Sequence, residues 1–264
     1  MSCDFTAWFA RYEGIVAEAD AAFQRVRQAY PDKVACKVGC SDCCYALFDL
    51  SLIEALYLNH HFQQRFSGAR RSDILELAES ADREVYKLKR QLFTASQQGT
   101  PAQELLVQVA RMRIRCPLLD QENHCLLYEQ RPVTCRLYGV PMAIHGQAHT
   151  CGNSGFQTGQ SYQTVNMDRL QERLLQLSHE LVEEIRSTHD GLAELLVPVS
   201  MALLATYDAE YLGIPKEQAS ACSGGGAWEL GEGGRKLDAC TGCDKAAEGC
   251  DPASCGVAPG RETP

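Results

Sequence analysis

Phe5, Trp8, Phe9, Tyr12, Ile15, Val16, Ala19, Phe23 and Val26 follow one another at the spacing that sets apolar side chains on one face of an α-helix. The stripe predicts a helix from Asp4 to Tyr30, ended by Pro31. Ser51 followed by Glu54 forms a capping-box pattern ahead of an apolar stretch reaching Phe66, and Asp73 with Glu76 repeats it ahead of a long helix to about Gln97. Thr100 as N-cap, Pro101 at the first helical position and Gln103 at the third start another, ending near Arg113. Two further amphipathic helices are expected over 163–188 and 190–210.

Between these stripes the pattern changes. RIRCPLLDQENHCLLYEQRP sets two short apolar runs, PLL and CLLY, on either side of the turn formers Asp120, Glu122 and Asn123, which predicts a small β-hairpin. Arg131-Pro132 opens a short helical turn through Cys135, and HGQAHTCGNSGFQTGQS reads as a loop ending near Ser161. The expected fold class is mainly α: a helical domain over 1–218 with a small β-hairpin and cysteine-rich metal-binding loops, the motif region being 36–151. Residues 219–264 turn to Gly, Cys and charge, the composition of a flexible tail with little core.

A chain of 264 residues with 45% hydrophobic content can fold around a core without disulfides. The net charge of −9, with both signs interleaved, lacks the basic stripe that phosphate backbones require, so nucleic acid is not an expected partner. The longest apolar run, GLAELLVPVSMALLATY, is broken by Glu194 and Pro198 and falls short of the roughly 20 residues that cross a bilayer. No membrane partner is expected either. MSCDFTAWFARYEG has no basic stretch followed by an apolar one, the mark of a secretory signal, and a cytoplasmic location follows as the expectation.

In a reducing compartment, cysteines clustered at short spacing bind metal or react more often than they form lasting disulfides. Four of the fourteen cysteines fall within CKVGCSDCC. Cys36, Cys40, Cys43 and Cys44 stand at i, i+4, i+7 and i+8, so a helical backbone would put their sulfurs on one face; a loop could also gather them. Gly39 permits a sharp turn, and Ser41 or Asp42 could cap a helix holding Cys43 and Cys44 in its first turn. Four cysteines beside Ser and Asp make poor core, which favours metal over simple burial. Cys116, Cys125, Cys135 and Cys151 form a second group, and strand pairing across the hairpin would bring Cys116 and Cys125 together. Two distant segments converging on one site is what a metal-organised fold requires.

CKVGCSDCC followed by CPLLDQENHCLLYEQRPVTCRLYG resembles the CxxCxxCC, or YkgJ-like, cysteine-cluster family of zinc- or iron-chelating proteins, over roughly residues 36 to 151. One departure is the three-residue gap between Cys36 and Cys40 where the family name has two. The resemblance implies a cysteine-rich metal or iron–sulfur site and supplies no reaction. Arg131 and Arg136 recur in its RPVTCR signature; they could direct guanidinium groups at a thiolate-rich cofactor or simply pair with Glu129 or another carboxylate. His124, His145 and His149 lie among the second-group cysteines, His124 in the predicted turn, whereas neighbouring His60 and His61 diverge on a helix.

The function expected is metal binding through Cys36, Cys40, Cys43, Cys44, Cys116, Cys125, Cys135 and Cys151. An iron–sulfur cluster is preferred to zinc, because inorganic sulfide spreads the irons and accommodates the adjacent Cys43-Cys44 pair better than a closed tetrahedron does. Its use would be electron transfer, cluster delivery or redox sensing with a protein redox partner or client. One rival is a structural zinc protein. Another is a methyltransferase-like enzyme related to flagellin lysine-N-methylases, which carry a similar cluster; no GxGxxG follows a strand here. A thiol redox enzyme using Cys43-Cys44 or Cys240-xx-Cys243 would lack a thioredoxin-like βαβ pattern. No catalytic residue is singled out. In the tail, Cys240, Cys243, Cys250 and Cys255, with Cys222 upstream, could form a small zinc knuckle, although their second half departs from the repeated CxxC.

Overall fold

The stripe on residues 4–30 folds as expected: helix α1, Thr6–Ala29, buries Trp8, Phe9, Tyr12, Ile15, Ala19 and Val26. The computed structural model describes residues 4–37, 39–157 and 159–215. All lie in the first of two units, Met1–Ala227. The tail predicted from 219, with Cys222, Cys240, Cys243, Cys250 and Cys255, is outside the described residues.

Helix α2, Leu52–Arg65, is the centre of the fold. The capping box predicted from sequence opens it: Glu54 Oε2 accepts the Ser51 amide at 3.1 Å and the Ser51 hydroxyl at 2.9 Å. Its residues are buried on all sides from Leu52 to Asn59, the signature of a core helix rather than a surface one. Two apolar clusters meet on it. One takes in α1, the short α5, Val133–Leu137, and α6, Met167–Glu184. The other takes in α3, Gly68–Gln97, α7, Val199–Leu204, and the isolated pair Leu118 and Leu127.

Three predicted boundaries move. Helix α3 begins at Gly68 rather than at Asp73, because Ser67 is already extended at the cap position and nothing in Ala69–Ser72 opposes a helix. Helix α4, Ala102–Arg111, starts one residue late: Pro101 is extended and occupies the cap position expected of Thr100. The helix expected over 190–210 does not form as one piece. Gly191 at φ 76° opens a single 3-10 turn at Leu192–Glu194, Pro198 sits in strand β5, Val197–Pro198, and only α7 remains helical.

Strand β5 pairs antiparallel with β1, Asp49–Leu50. The predicted PLL/CLLY hairpin reduces to one antiparallel bridge, Leu119 to Cys125, around a turn in which Asn123 takes φ 62°. A second hairpin runs into the stretch read as loop: β2, Met142–Ile144, just before it, pairs with β3, Gln147–His149, inside it, through His145-Gly146, both at positive φ. Strand β4, Val165–Asn166, adds to β2 in parallel. Among the described residues no helix is long and apolar enough to cross a membrane.

Candidate metal centre

Cys116 and Cys125 pack against the cluster of α3 and α7, and Cys135 lies on α5, whose Val133 and Leu137 belong to the other. Residues 34–37 and 39–41 form no helix: Gly39 turns at φ 84°, and the Cys40 amide bonds the Lys37 carbonyl at 2.9 Å. A four-residue 3-10 turn, Asp42–Tyr45, follows Ser41 and carries Cys43 and Cys44. Residues 114–116 lie beside it, through Ile114 N to Tyr45 O at 3.2 Å and Cys116 N to Cys44 O at 2.7 Å. The bridged turn then returns Cys125 next to Cys116, with Leu118 and Leu127 buried on either side of it.

Cys135 arrives on α5, held from below. The second carboxylate oxygen of Glu54, Oε1, accepts the Val133 amide at 3.1 Å, so one buried side chain caps both the central helix and the short helix that carries a thiol. Burial pushes the Glu54 carboxyl up. Arg136 faces away from the sulfurs: it pairs with Asp20 at 2.7 Å and donates to the carbonyls of Arg131 at 2.7 Å and of Glu129. Its guanidinium clamps the chain. Arg131 is placed differently. It stacks on Tyr128 with its guanidinium carbon 3.6 Å from the ring centre, lines the thiol cavity, and its charge favours thiolate at Cys36, Cys43 and Cys125.

That cavity holds about 360 Å³ and is walled by Cys40, Cys43, Cys44, Cys116, Cys125 and Cys135. Cys43 is hydrogen-bonded to the thiols of Cys135 and Cys44; these bonds hold the Cys43 thiol well below its ordinary range. The same bonds, together with burial, push Cys135 and Cys44 up. Burial raises Cys116 to about 12 and raises Cys125, each opposed by one backbone amide on its sulfur, from Leu118 and from Leu127. An amide two residues ahead of a cysteine, turned onto its sulfur, stabilises the thiolate form that binds metal.

A second, small cavity lies to one side, lined by Cys36, Cys40, Cys43, Cys151, Tyr138 and Gly139 among others. Cys36 bonds Cys40 and packs so closely on Gly139 that a Cβ there would stand 2.6 Å from the Cys36 Cβ. Cys151 donates to Asp42 Oδ2 at 3.2 Å and accepts the Asn153 amide at 3.4 Å, again from two residues ahead. Burial raises it to about 11. The eight cysteines therefore regroup in space: Cys44, Cys116, Cys125 and Cys135 wall the larger cavity, Cys36 and Cys151 the smaller, and Cys40 and Cys43 line both. All eight are free thiols. Among the described residues no three His, Cys, Asp or Glu side chains stand together as a metal-ligating group; hydrogen bonds join Cys43 to Cys44 and Cys135, and Cys36 to Cys40.

The histidines contribute little. His124 lines the cavity rim with its ring half-exposed beside Asp120, as its turn position suggested, and His145 and His149 are exposed. Sequence reasoning missed the bonds of Asp42 to Cys151 and Arg113, having considered it only as a cap, and the second bond of Glu54. It also passed over Gly139, whose position just after the RPVTCRLY stretch was the available signal.

Residues 35–152 match the family model named CxxCxxCC, described as a "putative zinc- or iron-chelating domain". The matched segment carries all eight described cysteines. No curated protein and no solved structure matches the chain. The donors fit the description: soft sulfurs, three of them with a backbone amide on the sulfur, are suited to zinc and to iron.

Proposed function

We propose that the larger cavity binds an iron–sulfur cluster through Cys43, Cys116, Cys125 and Cys135, with Cys44 as a neighbouring sulfur on the same wall. The observation that supports this reading is the cavity: about 360 Å³ walled by six sulfurs from three separate stretches of chain. A structural zinc ion is closed in by four ligands and needs no such space. A cluster, when bound, would supply one-electron chemistry at a potential set by charge and hydrogen bonds around its sulfurs. Arg131 would add positive charge, and the Leu118 and Leu127 amides would bond two of the thiolates.

Tyr128 and His124, both substantially exposed, stand at the rim and leave the cavity open to a protein partner or client. Electron transfer, cluster delivery or redox sensing in a cytoplasmic, reducing setting are the uses consistent with an accessible cluster held by free thiols. The test is the anaerobic absorption spectrum and iron content of Cys125→Ser and Cys135→Ser beside Cys44→Ser. The first two lose the iron and its visible absorption while the third retains iron. Retention of full iron by both Cys125→Ser and Cys135→Ser would sink the proposal.

A further inference from the structure

Away from the thiols, α1 and the start of α6 flank a cavity of about 650 Å³, within the range of about 300–1,000 Å³ usual for small-molecule sites. Three arginines line it, Arg25 from α1 and Arg169 and Arg173 from α6. Among the described lining residues one carboxylate, Glu18, stands against them, and Arg173 grips both its oxygens, at 2.5 and 2.8 Å. No hydrogen bond or ion pair among the described residues engages the guanidinium of Arg25 or of Arg169; Arg169 reaches Glu18 through its charge alone. Arg169 and Arg173 are four residues apart on one helix face, where like charges repel. Three cations and one anion thus gather in a chain whose net charge is −9. Beside the charges, the buried Val26 and Leu170 and the short Ala22 add apolar lining.

We propose that this cavity binds a small phosphate monoester, its phosphate held by Arg25, Arg169 and Arg173 and its organic part laid against Val26 and Leu170. A monoester carries close to two negative charges at neutral pH and offers three acceptor oxygens, which suits several planar guanidinium forks at once. A carboxylate brings one charge and two oxygens, and Glu18 already supplies that to Arg173. Glu18 is then a competitor within the site: its hold on Arg173 has to be shared with the phosphate. The ligand is a small molecule rather than a polymer, because the basic residues converge on one cavity and do not form a stripe. All four charged residues lie outside residues 35–152, so the inference does not depend on the metal centre.

The experiment is a calorimetric titration of the full chain with phenyl phosphate at fixed ionic strength, with benzoate as the carboxylate control. Phenyl phosphate binds saturably, one per chain, and benzoate about tenfold or more weakly. Arg25→Gln and Arg169→Gln each weaken phenyl phosphate about tenfold or more. Glu18→Gln removes only an exposed ion pair, which contributes little to folding, and by freeing Arg173 it tightens binding. Glu180→Gln makes the same change of net charge at the Arg11 pair between the same two helices, and leaves the affinity as it is. No saturable binding at millimolar phenyl phosphate, or an equal gain from Glu180→Gln and Glu18→Gln, would overturn the site. Attachment to phosphatidic acid vesicles without binding of phenyl phosphate would overturn the small-molecule ligand.

Discussion

The core around α2 and the cysteine segments beside it are held by opposite kinds of interaction. Leu52, Ile53, Leu58 and Phe62 are buried to within 1% of completely, and each fully buried side chain of this size contributes about 1.5–3 kcal/mol. The cysteine segments have short bridges, a few inter-segment amides and two apolar anchors, Leu118 and Leu127. The helices can therefore assemble without metal, whereas the thiol walls are positioned by that assembly and drawn tight only by what they bind.

The largest expected effect breaks the first region alone. Phe62→Ala removes a ring with no exposed surface and should cost about 3–5 kcal/mol, by the same amount with and without metal, in denaturant melts. A deficit confined to the metal-loaded protein would contradict the division. Glu54 joins the regions, and Glu54→Gln should cost about 1–3 kcal/mol, since a buried acceptor of the Ser51 and Val133 bonds is exchanged. Unlike Phe62→Ala it should also weaken metal retention, because Val133 opens the helix that carries Cys135. Unaltered retention in a metal competition assay would mean that Glu54 serves the core only.

The effect of pH separates the regions without mutation. Cys116 and Cys151, raised to about 12 and about 11 by burial, hold their protons more firmly in the folded than in the unfolded chain. Their contribution to metal-free stability is complete below the unfolded thiol value of about 8.5 and is lost as pH rises through 11 and 12. Metal binding displaces the Cys116 proton, so affinity runs the other way and rises with pH. Melts of metal-free protein and titrations of affinity, both followed across pH 7 to pH 10, should slope in opposite directions toward the alkaline end; parallel slopes would count against thiol ligation.

The smallest effect expected is at Arg131. Arg131→Gln keeps the stacking side chain beside Tyr128 but removes the charge felt by Cys36, Cys43 and Cys125. Metal should be retained with a lower reduction potential, as the reduced centre loses a stabilising positive charge. An unchanged potential would assign Arg131 to packing. Arg136, whose bonds all go to Asp20 and the chain, should leave the potential unmoved when replaced by Lys.

The core was legible because its signals are local. The α1 stripe, the Ser51/Glu54 box and the Pro132 turn each sit within a few residues of what they determine. The centre was legible as a list of eight cysteines and not as a partition. Which sulfurs share a wall depends on the Cys116 to Cys44 bond, on the β2–β3 hairpin that leads the chain to Cys151, and on the absence of a side chain at Gly139. None of these has a period or a spacing to read. The break at Gly191 and Pro198 was visible in the letters, but the apolar run around them outweighed it in the reading of 190–210 as one helix.

The central claim is that the larger thiol cavity holds a cluster rather than a lone ion. Protein purified without oxygen should be assayed for iron, zinc and acid-labile sulfide, with low-temperature electron paramagnetic resonance of the reduced form. Iron and sulfide in comparable amounts, a brown colour and a resonance that disappears in Cys135→Ser are the predicted result. A colourless protein with stoichiometric zinc and no sulfide, its zinc lost in Cys135→Ser, would contradict it.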